Sequence, residues 1–182
     1  EIAQCLVGSE MCIRDSSKIE GFAFLPITSF TMALTTFVGQ NLGARQYDRV
    51  LKGAKFGMIC SMTLAEIIGV IIFVFSPQFV AAFDATPEVI HFGTLRGQTS
   101  AFFFCLLAYS HCVSAILRGA GKSMVPMIVM MVCWCFVRVT GLTIMGALVH
   151  NIWCVYWIYP ITWSLSSITF FIYYHRVDWL HA

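Results

Sequence analysis

Polar and apolar residues in this 182-residue chain are sorted into long blocks rather than mixed. Apolar stretches fall at 21–38, 56–75, 99–117, 124–149 and 152–174. Each approaches or exceeds the roughly 20 helical residues that cross a bilayer core. Strands of a membrane barrel would alternate over about 10 residues, and none of these stretches alternates cleanly. The pattern predicts five membrane helices. Pro26, Pro126 and Pro160 lie inside them or near their ends, which membrane helices tolerate where neighbours satisfy the freed carbonyls.

The polar segments between these blocks carry the orientation. The least apolar of them, GQNLGARQYDRVLKGAKFG (39–57), places Gly39 and Gly43 four residues apart, a spacing that lets helix backbones approach closely. Gln40 and Asn41 supply amides for carbonyls freed at a helix end. Arg45, Arg49 and Lys52 can anchor the segment at anionic headgroups. A second glycine-rich basic turn, LRGAGKSMVP (117–126), holds Arg118, Gly119, Gly121 and Lys122 on the same side, and Arg176 follows the last span. The opposite side carries Arg96, with Asp84 and Glu88 upstream of it, and Lys18 beside Glu20. Positive charge marks the cytoplasmic face, so the C-terminus is expected inside. Trp153, Tyr156 and Trp157 at one end of the last span, and Tyr173, Tyr174 and Trp179 at the other, read as interfacial aromatic belts.

Composition narrows the class. Hydrophobic residues make up 59% of the chain and charged ones 11%, against about 25% charged in a soluble domain. A net charge of +2 gives no reason to expect nucleic acid as a partner. Cys60, Cys105, Cys112, Cys133, Cys135 and Cys154 sit inside apolar runs and read as small hydrophobes. The pair in CWC (133–135) is too close for a zinc C-x₂-C arrangement, so neither metal nor cofactor is expected. HExxH and GxSxG are missing, and an enzyme is not expected. GAGKS (119–123) copies only the end of a phosphate loop, whose first glycine would fall at Ile116 with no strand before it. The opening EIAQCLVGSEMCIRDS lacks the charged n-region and apolar core of a signal peptide and resembles translated sequencing-adapter text. Residues 1–17 are therefore expected to be a non-native prefix to a unit at 18–182.

TTFVGQNLGARQYDRV (35–50), followed by ILRGAGKSMVPM (116–127) and YPITWSLSSITFFIYY (159–174), resembles the second lobe of MATE multidrug and toxin extrusion transporters. The resemblance implies an all-α integral membrane protein: five of the six helices of one lobe, from a transporter of twelve helices in two lobes. It implies a secondary antiporter that exports drugs or organic cations in exchange for protons or sodium ions. The expected location is the plasma (inner) membrane, and the expected partners are membrane lipids, small organic substrates and a missing N-terminal lobe. A related flippase for lipid-linked oligosaccharides shares the architecture and stays open, as does a non-transporting membrane fragment or subunit. A flippase would need a wide basic cavity for diphosphate. One arginine at mid-membrane, Arg138, favours drug export.

Ionisable side chains inside a membrane are costly and mark functional positions. Glu66 and Arg138 sit at matching depth in the second and fourth spans and are expected to pair. Glu66 either exchanges a proton or cation during transport or forms a fixed structural pair. In the third span Arg96, Ser100, His111, Ser114 and Arg118 recur along one face, with Phe103 and Leu107 completing it and Tyr109 and Ser110 flanking it. A stripe with polar ends and a partly aromatic middle suits amphipathic cations. His111, whose side chain type titrates near neutrality, is either part of that pathway or a helix-packing histidine. Thr28, Thr31 and Thr35 form a hydroxyl face read as packing. Some MATE members bind their coupling ion through an aspartate on the helix matching the third span. No Asp or Glu lies between Arg96 and Arg118, so that site is not carried over and the coupling ion stays open between proton and sodium.

Overall fold

The computed structural model describes residues 2–83, 87–148, 152–177 and 179. Asp84 and Val149 lie outside the described residues, as do the side chains of Lys18, Glu20, Glu88, Trp153 and Cys154. Among the described residues all regular structure is helical: α1 (Ile2–Gly43), α2 (Tyr47–Phe83), α3 (Pro87–Ala101), α4 (Phe104–Gly119), α5 (Met124–Met130), a π-helical segment (Met131–Val137), α6 (Arg138–Leu148) and α7 (Ile152–Arg176).

These helices are longer than the apolar blocks that predicted them. α2 begins at Tyr47 because no Gly or Pro interrupts the polar turn before Gly53, so the helix starts in the basic segment itself. Its 36 residues from Tyr47 to Ala82 measure about 54 Å at 1.5 Å per residue, well beyond a bilayer core of about 30 Å. By length and composition, Tyr47–Ala82 and Met124–Ile144 can cross a membrane, with 18-residue stretches of mean hydropathy 2.4 and 2.0. Gly93–Ala101 and Phe104–Gly119 meet the same criterion only as a pair.

That pair corrects the expectation of one straight third span. Its two halves are bent by 57° across Phe102 and Phe103, where the Phe103 N–H donates to the Ser100 carbonyl (3.0 Å) in a tight turn. Arg96 and Ser100 thus belong to α3, and His111, Ser114 and Arg118 to α4, so they do not form one straight stripe.

The two glycine-rich basic turns are built alike. After α1, the Arg45 N–H donates to the Leu42 carbonyl (2.9 Å) and the Gln46 N–H to the Asn41 carbonyl (2.9 Å). After α4, the Gly121 N–H donates to Arg118 (3.0 Å) and the Lys122 N–H to Leu117 (2.9 Å). Both are Schellman caps, which need a left-handed residue just past the helix. Gly121 supplies it at φ +80° and Arg45 at φ +56°. The Asn41 amide donates to the Phe37 carbonyl (2.7 Å), one turn inside α1 and not to a carbonyl freed at the helix end as expected. Gln40 is exposed.

α4 is the central element, packed on α1, α2 and α7. Residues 112–117 are buried without interruption, the mark of a helix enclosed on every side. Its contact with α1 is the tightest: a Cβ placed on Gly119 would lie 2.7 Å from the Thr35 carbonyl oxygen and 2.9 Å from the Val38 side chain. Gly39 faces the Gly119 carbonyl, while Gly43 meets nothing within 4 Å. The close approach therefore pairs Gly39 with Gly119 rather than with Gly43, because Gly43 already belongs to the cap. The Thr35 hydroxyl donates to the Ala115 carbonyl across the same interface (3.2 Å), and the Ser167 hydroxyl of α7 donates to the Leu106 carbonyl of α4 (2.7 Å).

One apolar cluster joins Val38, Val50, Leu117, Phe170 and Trp179, which gathers both basic turns and the end of α7 at one end of the bundle. Trp179 stacks on Tyr174 (5.2 Å) inside that cluster, and Tyr156 is also buried. Those two side chains are packing residues instead of interfacial belts. Phe56, Ile59, Ile67 and Val70 of α2 stay exposed, as expected of surface that meets lipid or another helix.

Gly119→Ala should lower stability by about 1–3 kcal/mol, the usual effect of overpacking. Gly43→Ala, in open space at a helix end, should raise it by up to about 1 kcal/mol. Thermal unfolding of the purified chain in detergent checks both. Gly121→Ala should cost about 1–2 kcal/mol by forcing a Cβ into the left-handed region. Arg45→Gly should change stability by less than about 1 kcal/mol, since relief of strain and added unfolded-state freedom oppose each other. Equal losses at Gly121 and Arg45 would contradict the cap assignment.

Candidate functional site

The densest chemistry lies where α3, α4, the π-helical segment and α7 converge with α1. A cavity of about 300 Å³ opens there, lined by Phe24, Phe104, Trp134, Arg138, Tyr159 and Trp163 together with Gly21, Ile27 and Leu107. α7 supplies Tyr159 and Trp163 four residues apart, hence on one helix face. Trp134 comes from the π-helical segment, whose wider turn ends at Arg138. The Arg138 guanidinium lies 5.0 Å from the Trp134 ring centre and 4.5 Å from that of Tyr159. Its Nη2 donates to the Thr162 hydroxyl (2.9 Å), which in turn donates to the Tyr159 carbonyl (2.9 Å). The arginine head is thereby held against the cavity wall.

Arg96 reaches the same tyrosine. It is 2% exposed, and its guanidinium lies 4.6 Å from the Tyr159 ring centre. The expectation that Arg96 is a surface charge at the membrane edge is thus corrected: the bend between α3 and α4 folds it into the bundle. Removing an arginine from water costs several kcal/mol, of which a cation–π contact returns about 0.5–2. The expected Glu66–Arg138 pair is not made. Arg138 faces the aromatic cavity, whereas Glu66 lines a separate groove of about 610 Å³ with Met62, Ile67, Val70 and Cys105. Glu66 Oε2 is buried there with no hydrogen-bond partner among the described atoms. Equal depth along two helices does not put two side chains on facing surfaces, and here it did not.

The remaining predicted positions divide. His111 packs edge-on against Phe24 (4.8 Å) and Trp134 (5.2 Å), so it borders the cavity from behind its aromatic wall. Tyr109 packs partly buried against the cluster at the capped end of the bundle. Ser110 donates to the Leu107 carbonyl (2.9 Å), and Ser114 is fully buried at the heart of α4. Arg118 is exposed beside its cap. Thr28, Thr31 and Thr35 donate to carbonyls one turn back, with Thr35 also crossing to α4, so this face packs as read. The sequence reading missed Trp134, Tyr159, Thr162 and Trp163. The Tyr159, Thr162, Trp163 spacing in α7 was the available signal, hidden inside a uniformly apolar span.

Two of the lining tryptophans carry buried donors. The indole nitrogens of Trp134 and Trp163 have no hydrogen-bond partner among the described atoms, and Trp163 is 4% exposed. A buried donor left in that state costs about 1–3 kcal/mol. No carboxylate is among the described lining residues. Among the described residues no cluster of three His, Cys, Asp or Glu side chains could hold a metal ion. Cys60, Cys105, Cys112, Cys133 and Cys135 are free thiols.

Comparison with known proteins agrees with this architecture. Residues 16–144 match the MatE family. The chain is 29% identical over 116 residues to the probable multidrug resistance protein NorM of Thermotoga maritima, covering 64% of this chain and 25% of that protein. It is 21% identical over 170 residues to the probable multidrug resistance protein YoeA of Bacillus subtilis, covering 88% of this chain and 35% of that one. Against multidrug and toxin extrusion protein 1 of Danio rerio the identity is 24%, over all of this chain and 30% of the relative. The chain thus spans about a quarter to a third of the length of these relatives. The solved MATE transporter ClbM in complex with Rb+ shares the fold, with a TM-score of 0.85 at 18% identity, over 96% of this chain and 42% of that one. The family match covers well over half of the chain, and the protein belongs to the MatE family.

Proposed function

We propose that this chain forms the C-terminal lobe, short of one helix, of a two-lobe antiporter that exports drugs or organic cations from the cell. The observation that carries the reading is the agreement of fold and family over a unit matching 42% of a whole MATE transporter. In such machines two lobes rock about a central cavity, giving alternating access to the two sides of the membrane. The chain would cross the plasma membrane five times, adding 21–38 and 152–174 to the passes that meet the length and hydropathy criterion. The clustering of Arg45, Arg49, Arg118 and the end of α7 at one end of the bundle supports a cytoplasmic C-terminus.

Glu66 is the residue best suited to exchange a coupling ion. Its carboxylate stands in an apolar groove with one oxygen lacking a partner, and no arginine pairs with it. That supports exchange of a proton or sodium ion at Glu66 over a fixed structural pair with Arg138. Two arginines at Tyr159, Arg96 buried and Arg138 half-buried, are more than the single one counted from the sequence, which favours a flippase. A cavity of about 300 Å³, however, lies at the bottom of the range for drug-sized ligands and is narrow for a lipid-linked oligosaccharide.

The test is ethidium export by cells expressing the gene that encodes this chain together with its in-frame upstream sequence. Export should depend on an ion gradient and stop when that gradient, proton or sodium, is collapsed. Glu66→Gln should abolish ion-dependent export while membrane expression persists. Normal export by that variant would remove Glu66 from coupling, and export by no version of the gene would remove the transporter reading.

A further inference from the structure

α2 leaves the capped end of the bundle as a basic helix and then becomes an apolar one. Gly53 and Gly57 abut Phe37 and Leu34 of α1, so that side of α2 is turned to its neighbour. Lys52, Lys55 and Ile59 follow one another at intervals of three and four residues along the opposite side, and all three are exposed. From Ile59 onward the same stripe forms the groove of about 610 Å³, continued by Ile67, Val70 and Ile71 and bordered by Cys105 of α4. The helix from Ile59 to Ile71 measures about 18 Å, close to the roughly 15 Å of hydrocarbon in one bilayer leaflet. Lys55 precedes Ile59 by about 6 Å and Lys52 by about 10 Å along the axis. Asp48 lies further out still, among Arg45, Arg49, Lys52 and Lys55, so this end of α2 stays net positive.

The stripe therefore has the layout of a lipid molecule, with cations at headgroup level and an apolar channel about as long as a leaflet is deep. We infer that the α2 groove holds an acyl chain of an anionic phospholipid whose phosphate is bound by Lys52 and Lys55. The inference rests on the membrane reading proposed above, with the capped end at the cytoplasmic headgroups, and adds a bound partner to it. Lysine stems lie along apolar surface while their ammonium groups reach the headgroup layer, which suits exposed lysines directly above exposed aliphatic side chains. Basic residues at the cytoplasmic ends of membrane helices attract anionic headgroups, and charge complementarity selects such a lipid over a zwitterionic one. Glu66 also lines the groove, but it stands about 16 Å along the axis from Lys55, too deep to meet a headgroup.

The purified chain in uncharged detergent micelles, mixed with phosphatidylglycerol carrying a diazirine in one acyl chain, tests this. After illumination, peptide mass spectrometry should place the cross-links within 59–71. Unlabelled phosphatidylglycerol should compete about tenfold or more better than phosphatidylcholine. The double variant Lys52→Gln, Lys55→Gln should weaken that competition about 25-fold, from about fivefold per lysine near an anionic surface. The double variant Lys52→Arg, Lys55→Arg should keep it. Circular dichroism checks that the variants fold, and the cross-link positions on the unaltered chain decide the site without them. Cross-links outside 59–71 overturn the inference, as do equal competition by phosphatidylcholine and a preference that survives the glutamine substitutions. Competition by glycerol 3-phosphate as strong as by the lipid would leave a headgroup site without an acyl groove and also overturn it. So would cross-links that vanish when the chain is produced with its in-frame upstream sequence, because the groove would then seat another helix. Cells that export ethidium while the purified chain shows no such lipid site refute this inference alone. A mapped, lysine-dependent site in a protein whose gene exports nothing refutes the transport reading alone.

Discussion

At Gly119 the backbones of α4 and α1 come so close that a single added methyl group would lie 2.7 Å from a carbonyl oxygen. Much of the bundle depends on that contact. In lipid there is no hydrophobic drive between helices, so close van der Waals packing and interhelical hydrogen bonds must organise them. The Gly39–Gly119 approach supplies the first, and Thr35 to Ala115 supplies the second within one turn of it. With α4 seated against α1, its other faces are free to receive α2 and α7, and Ser167 ties α7 to the Leu106 carbonyl. The Schellman caps close the same end, so tight packing and backbone satisfaction reinforce one another where both glycine-rich turns meet.

At the other end of α4 the helix does not continue. Irregular backbone at membrane depth is tolerated only where it is buried in protein or lines a cavity, and the break at Phe102–Phe103 adjoins one. Phe104, the first residue past the break, is part of the cavity wall, and Phe103 packs edge-on near Trp157 (6.3 Å). The bend also directs Arg96 toward Tyr159. Tyr159 thus has two guanidiniums within 4.6 Å of its ring centre, one of them, Arg96, buried.

The π-helical segment adds to the same region. Its seven residues carry Trp134 toward His111 and end at Arg138, so three chemically distinct side chains meet across two helices. π-helical turns inside α-helices are rare and recur at functional sites. Glu66 stands apart in its own groove on α2. Among the described residues, Glu66 lines one recess and Arg138 another.

Block patterning, charge asymmetry and two short glycine-rich turns were enough to read a helical chain, the packing role of the Thr28–Thr31–Thr35 face, and the family, while the helix limits ran well past the apolar blocks. These are local properties: apolar length, the spacing of small residues and the need for a left-handed residue after a helix are all written along the chain. What the sequence could not reveal was which side chains face one another. Glu66 and Arg138 match in depth yet open into different recesses, because rotation of each helix about its axis is decided by packing with its neighbours. Arg96 looked like a surface charge because nothing local announces the turn at Phe102–Phe103. Tyr156 and Trp179 looked interfacial because a buried and a lipid-facing aromatic ring are the same residue in a one-dimensional pattern. The sequence by itself determined that this chain is built of long apolar helices with two glycine-rich basic turns. Only the tertiary structure decided that Glu66 and Arg138 open into different recesses and that Arg96 turns into the bundle, since these depend on helix rotation and on one bend, neither of which periodicity encodes.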